Sequence, residues 1–133
     1  MQKKEVALQI PYTGKEAENA ALFEILNNRV LADKLYLNPT IERGDLCKVI
    51  GVEKNRFAQI IRQNTGTHLI GYINNLRLDY AVQLMKEHPQ FLISKVSMHS
   101  GLTNIRTFYR LFHNRFGMTP LEYRKSLQSK NLF

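Results

Sequence analysis

Between Ile93 and Pro120 the apolar positions repeat with the period of a short helix and then of a longer one. On the longer stretch Phe108, Leu111, Phe112 and Arg115 fall on one side at helical spacing, while Arg106, Tyr109, Arg110 and His113 fall around the other. Gly101-Leu102 separates the two stretches, Thr103 stands where a cap would open the second helix, and Gly117 closes it. A short helix, a turn and a longer helix are the grammar of a helix-turn-helix. One face is apolar enough to dock, and the other is equipped to meet an anion.

The same pattern occurs upstream. A shift of 51 positions lays Phe57, Ile60, Ile61, Gly66 and Tyr72 on Phe108, Leu111, Phe112, Gly117 and Tyr123, and the outward Asn55, Gln59 and Arg62 on Arg106, Arg110 and His113. A shift of 50 aligns Leu46 with Val96, Cys47 with Ser97, Gly51 with Gly101 and Val52 with Leu102, which puts the extra residue at the turn or the first turn of the second helix. Two copies are too few for a solenoid, which needs about three stacked units. The pattern is that of a duplicated helix-turn-helix.

The remaining stretches fit around this pair. Residues 6–10 alternate weakly before Pro11 and Gly14 interrupt them, which leaves strand and linker both open. Lys15 to Asp33 reads as a helix with Leu22, Ile25, Leu26 and Val30 as its stripe beside Ala17, Ala20 and Ala21. It either packs on the first unit or serves as a dimerising or signal-transmitting helix. Leu35 to Pro39 reads as an extended connector, because a proline disfavours helix at the residue before it. Leu69 to Glu87 is one long helix apolar on two sides, with Ile73, Leu76, Tyr80 and Leu84 on one and Leu78, Val82 and Met85 on the other. At 19 residues it is a rod of about 28 Å, close to the roughly 34 Å between major-groove segments on one side of B-DNA. Thr119-Pro120 opens a last helix expected to run to about Gln128.

Charge sharpens this picture. The 133 residues carry a net charge of +8, yet residues 1–40 balance five basic against five acidic side chains. Residues 41–133 hold fourteen basic and six acidic ones, so the whole excess lies on the duplicated part. Such a surface attracts polyphosphate. A soluble basic surface without a partner is the bland alternative. No apolar run spans a bilayer and no export signal opens the sequence, and the single Cys47 excludes an internal disulfide framework, so the cytoplasm is the expected compartment. Cys47, paired with Ser97 in the repeat, reads as a small residue allowing close helix approach. His68, His88, His99 and His113 show no metal-ligand spacing, and no phosphate loop or nucleophile elbow is present. Neither an enzyme nor a cofactor is expected.

Several of these residues carry a family likeness. They are Gly66, Tyr72-Ile73-Asn74-Asn75-Leu76-Arg77 and Ala81, and above all Gly101-Leu102, Phe108-Tyr109-Arg110-Leu111-Phe112, Gly117-Met118-Thr119-Pro120 and Tyr123-Arg124. Through them residues 35–125 resemble the DNA-binding domain of AraC/XylS-type transcriptional regulators. Leu35 to Asp45 looks most like those fused behind membrane sensor or hybrid kinase modules. The resemblance implies an all-α, homeodomain-like fold of seven helices, with two helix-turn-helix subdomains joined by a long linker helix. It divides the chain into an N-terminal segment (1–34), a first unit (35–68), the linker helix (69–87), a second unit (88–128) and a tail (129–133). It also implies that both recognition helices enter the major groove, with Asn55, Ala58 and Gln59 reading bases in one segment and Ile105, Arg106, Tyr109 and Arg110 in the next. The helical faces alone pick out Asn55, Gln59, Arg106 and Arg110. Glu42, His68 and Leu92 stand where the family often has a serine or threonine cap.

The chemistry of the side chains assigns further roles. Arginine can meet guanine O6 and N7 with two hydrogen bonds, and asparagine or glutamine can meet adenine N6 and N7. Lys54, Arg56, Arg62 and His113 suit phosphate, where they position without reading sequence. Arg77, beside an apolar stripe, is expected to pair internally. The partners expected are double-stranded DNA, with RNA polymerase open as a second one, and the chain is read as the output part of a larger regulator. Oligomeric state stays open, since two units on one chain can read two half-sites without dimerising. A protein-interaction module using the basic face and the N-terminal helix is the alternative.

Overall fold

The computed structural model describes residues 14–131, so the weak alternation at 6–10 lies outside the described residues, as do 132 and 133. The described residues form seven α-helices: α1 (Gly14–Ala32), α2 (Arg43–Ile50), α3 (Lys54–Thr65), α4 (Leu69–Glu87), α5 (Ile93–His99), α6 (Ile105–Phe116) and α7 (Pro120–Asn131). A 3-10 turn at Leu35–Leu37 follows α1. Ser129 to Asn131 therefore continue α7 in place of the expected tail.

Two apolar cores form, one on each part of α4. The first gathers Leu26 and Val30 of α1, Leu46 and Cys47 of α2, Phe57 and Ile61 of α3, and Tyr72 and Ile73 of α4. The second gathers Leu78, Ala81, Leu84 and Met85 of α4 with Val96, Leu102, Phe108 and Phe112. Ile73 and Leu84, which share a stripe in the sequence, thus serve different cores. At about 25 cal/mol for each Å² of apolar surface buried, such cores outweigh the weak propensity of helices as short as α2 and α5.

The helix ends are closed by local chemistry. α3 and α6, twelve residues each, both end on a glycine with φ 75, at Gly66 and Gly117. The Glu53 carboxylate accepts from the backbone N–H groups of Asn55 and Arg56 at 2.8 and 3.2 Å, as a serine or aspartate cap would. At α2 the Glu42 N–H donates to the Asp45 carboxylate at 3.2 Å, so an acidic residue replaces the usual capping hydroxyl. α6 is capped by Asn104, whose Oδ1 accepts from Thr107 N–H at 3.1 Å. The cap therefore falls one residue beyond Thr103, because it is Asn104 that holds the extended backbone from which a side chain can reach back. Thr119 and Glu122 exchange hydrogen bonds at 2.9 and 3.1 Å and open α7 at Pro120 as a capping box.

Two N-terminal expectations are corrected. The inward face of α1 is Asn19, Leu26 and Val30 with Phe23 beside them, while Ile25 is exposed. The stripe is displaced because Asn19, fully buried, is satisfied by hydrogen bonds to α3, so a polar residue occupies a core position. The segment after α1 is coiled rather than extended, since Leu37 N–H and Asn38 N–H donate to Lys34 O and Leu35 O at 3.0 and 3.1 Å. Asn38, just before Pro39, does remain extended at φ −74 and ψ 112.

α1 is also tied to α4, since the Tyr72 hydroxyl donates to Asn27 Oδ1 at 2.6 Å. Burial pushes the Tyr72 hydroxyl from 10.0 up to about 12. Between those values the unfolded chain ionises first, so the stability this group contributes below pH 10 is lost as pH rises, by at most about 1.4 kcal/mol per pH unit. Tyr72→Phe is expected to cost about 1 kcal/mol at pH 8, where Asn27 loses its donor, and to flatten the alkaline decline. Urea midpoints of both proteins at pH 8 and pH 11 check this, and parallel declines would refute it.

Candidate nucleic-acid interface

α3 and α6 present the same layout. Phe57, Ile60 and Ile61 on one, and Phe108 and Phe112 on the other, are buried and fix each helix against its core. That leaves Lys54, Asn55, Ala58, Gln59 and Arg62 exposed along α3, and Ile105, Arg106, Arg110 and His113 exposed along α6. Among the described residues, no hydrogen bond or ion pair engages the side chains of Lys54, Asn55, Gln59, Arg106, Arg110 or His113. The two helices together hold six lysines and arginines and no acidic residue. Each outer face is thus a strip of open donors that carries no acidic residue of its own helix.

Three predicted site residues are more constrained. Tyr109 is half-buried, its ring edge-on to Phe108 at 6.2 Å, so its hydroxyl is carried on a ring fixed by the second core. Arg62 sets its guanidinium 3.1 and 3.2 Å from the two ring nitrogens of His68, still on the exposed side. Arg56, expected at phosphate, is turned the other way. Its Nε donates to Asn19 Oδ1 at 3.1 Å and its terminal nitrogen reaches Glu18 at 3.4 Å. The cause is α1, which lays an amide and a carboxylate against α3, while the Asn19 amide also donates to Gln63 at 2.9 Å.

Two further residues hold the site in place. Arg115, on the apolar side of α6, donates to the backbone carbonyl of Asn75 at 2.7 Å and pairs with Asp79, clamping α6 to α4. The sequence signal for it is Asp79, an acidic residue beside the apolar positions of α4. Arg77 is buried and internally paired as expected: Nε donates to Tyr36 O at 2.6 Å, one terminal nitrogen to Asn38 O at 2.9 Å and the other to Asn74 Oδ1 at 3.1 Å. Burial pulls its pKa down from the usual arginine value.

Likeness to known proteins decides what this geometry belongs to. A family model described as a helix-turn-helix domain matches residues 46–126, from within α2 to the middle of α7. The chain belongs to the AraC-type helix-turn-helix family. It is 22% identical over 121 residues to the Msm operon regulatory protein of Streptococcus mutans, covering 91% of this chain and 43% of that protein. To the HTH-type transcriptional activator RhaR of an Enterobacter species it is 28% identical over 100 residues, 71% of this chain and 35% of that one. To RhaR of Klebsiella pneumoniae it is 29% identical over 79 residues, 59% and 28% of the two chains. The chain therefore spans less than half the length of these relatives. No solved structure matches it. As an AraC-type domain it serves sequence-specific DNA binding in transcription regulation, and these relatives are named as an operon regulator and transcriptional activators. Among the described residues no helix is long and apolar enough to cross a membrane.

Proposed function

We propose that this AraC-type domain reads DNA by placing α3 and α6 in successive major-groove segments of one duplex. The observation that carries the reading is the pair of outer faces, alike in build, rich in open donors and free of acidic side chains. On α3, Asn55 and Gln59 are the adenine readers and Ala58 offers its methyl group to thymine. On α6, Arg106 and Arg110 are the guanine readers, with Ile105 and Tyr109 making the apolar and hydroxyl contacts beside them. Lys54, Arg62 and His113 sit at the edges of these strips and suit phosphate. Arg56 joins them only if α1 releases it.

The domain would act in the cytoplasm as the DNA-contacting portion of a larger regulator, with RNA polymerase as a second partner at the promoter. Support for the larger regulator comes from the relatives, in which the matching region is less than half of the protein. Selection from a random duplex pool tests the reading. The expected product is a bipartite site whose two blocks lie about 10 base pairs apart, centre to centre. Binding to it should weaken with salt, with a log–log slope of about −0.9 for each phosphate neutralised. A protein-interaction module would return no enriched sequence and no such slope.

A further inference from the structure

The long helix is not the only connection between the two halves. At the level of Arg77 the turn between α5 and α6 comes against the 3-10 turn that follows α1. A Cβ built on Gly101 would stand 3.0 Å from Tyr36 O, 3.1 Å from Leu37 O and 3.1 Å from Arg77 Nε. Gly101 also holds φ +89, which side chains rarely adopt. The backbone of the second unit thus touches the backbone of the first, with only a hydrogen atom's room between them.

The other groups at this point belong to both halves as well. Arg77 leaves α4 and forks onto the carbonyls of Tyr36 and Asn38, holding the 3-10 turn against the helix. Tyr80, one helical turn on, packs against both cores and meets the Tyr36 ring edge-on at 6.1 Å. On the other side, Ser100 is fully buried and donates to Ser97 O at 2.9 Å, while Ser97 donates to Leu102 O, so the turn itself is braced. Core packing on α4 and the Arg115 clamp already hold the second unit to that helix. A further contact, off the axis, limits the rocking that they leave.

We propose that Arg77 is a positioning residue that, with Gly101, sets the register between the two recognition helices and so determines which half-site spacing the domain accepts. This rests on the two-groove reading above. Two linked modules gain about 10²- to 10⁴-fold in avidity only when both can engage at once, so a rigid junction turns a spacing error into a large loss of affinity. A loosened junction lets the second unit search.

The experiment uses the full chain and the bipartite site selected by it, rebuilt with up to three base pairs added to or removed from the spacer. The wild-type protein is expected to lose about 100-fold in affinity away from its preferred spacing. Arg77→Met, which removes the fork, and Gly101→Ala, which wedges the turn away from Tyr36 O, should reduce that loss to about tenfold or less. Arg77→Lys keeps the charge but not the fork and should behave like Arg77→Met. Affinity for the isolated α3 half-site and the helical circular-dichroism signal should hold in all three, because neither Arg77 nor Gly101 contributes a side chain to either core. Folded variants that keep the wild-type spacing profile would overturn the inference alone. So would variants that lose both cores together, since that would make the junction part of the fold rather than of the register. A wild-type chain that enriches only one half-site would overturn this inference and the two-groove reading with it.

Discussion

Phe112→Ala is expected to unfold the second helix-turn-helix while the first stays formed. The ring is fully buried and meets Phe108 at 5.7 Å, Phe116 at 4.5 Å and Tyr123 at 5.5 Å between ring centres. Truncating a phenylalanine so placed costs about 3–5 kcal/mol, from the transfer free energy forgone and the cavity left behind. A whole small domain is stable by only about 5–15 kcal/mol, and the second core is a fraction of this one. α6 and α7 should therefore lose their helical signal first. Binding to the bipartite site should fall by the avidity of the second unit, about 10²- to 10⁴-fold, leaving protection over one half-site. Urea titration by circular dichroism together with footprinting checks this. Phe57→Ala, equally buried in the first core, should give the mirror-image footprint. A single cooperative melt shifted by less than about 1 kcal/mol would contradict it, because it would show the cavity collapsing or the cores failing to separate.

Arg106→Ala and Arg110→Ala should have the next largest effects, and of a different kind. Both side chains are exposed on α6 and free of internal partners, so removal costs the fold little. If each forks onto a guanine, its loss removes about 1–3 kcal/mol of discrimination at one or two base positions. Selection repeated with each variant should return the wild-type motif with those positions relaxed and the remainder intact. Lys54→Ala is the contrast, since removing one cation from the phosphate backbone should weaken all sequences nearly evenly and reduce the salt slope by about 1. An even loss from Arg106→Ala would assign that residue to the backbone of the duplex, and base reading on α6 would then pass to Arg110 and Tyr109.

Much of the fold is legible in the chain because the helices are regular and repeated. The apolar positions of α6 and their echo on α3 define both helices and their faces, and the run from Leu69 to Glu87 needs cover on two sides that only two cores supply. Two of the misses, at Asn19 and Arg56, share a cause, which is polar groups satisfied by distant partners. Asn19 counts as solvent-facing by composition, yet its amide is buried between Arg56 and Gln63, and that displaces the stripe of α1. Arg56 reads as one more cation on a basic helix until α1 is laid beside it. Arg77 is legible as internally paired, but its acceptors are backbone carbonyls about forty residues away, which no local pattern reports. Gly101 reads as a turn, and the sequence holds nothing to say that a second chain segment presses on it.

The lone cysteine supplies a way to watch one half by itself. Cys47 lies buried in the first core, and burial raises its thiol pKa above the usual value. Attack by an alkylating reagent needs an exposed thiolate, and only 8% of the Cys47 surface is accessible, so opening of the first core should speed modification. Its rate therefore tracks that opening. The equivalent place in the other half is Ser97, whose hydroxyl is occupied by Leu102 O and is inert to such reagents. A single untagged, unmutated protein can therefore report how often its first half breathes, with and without DNA, while the second half stays silent.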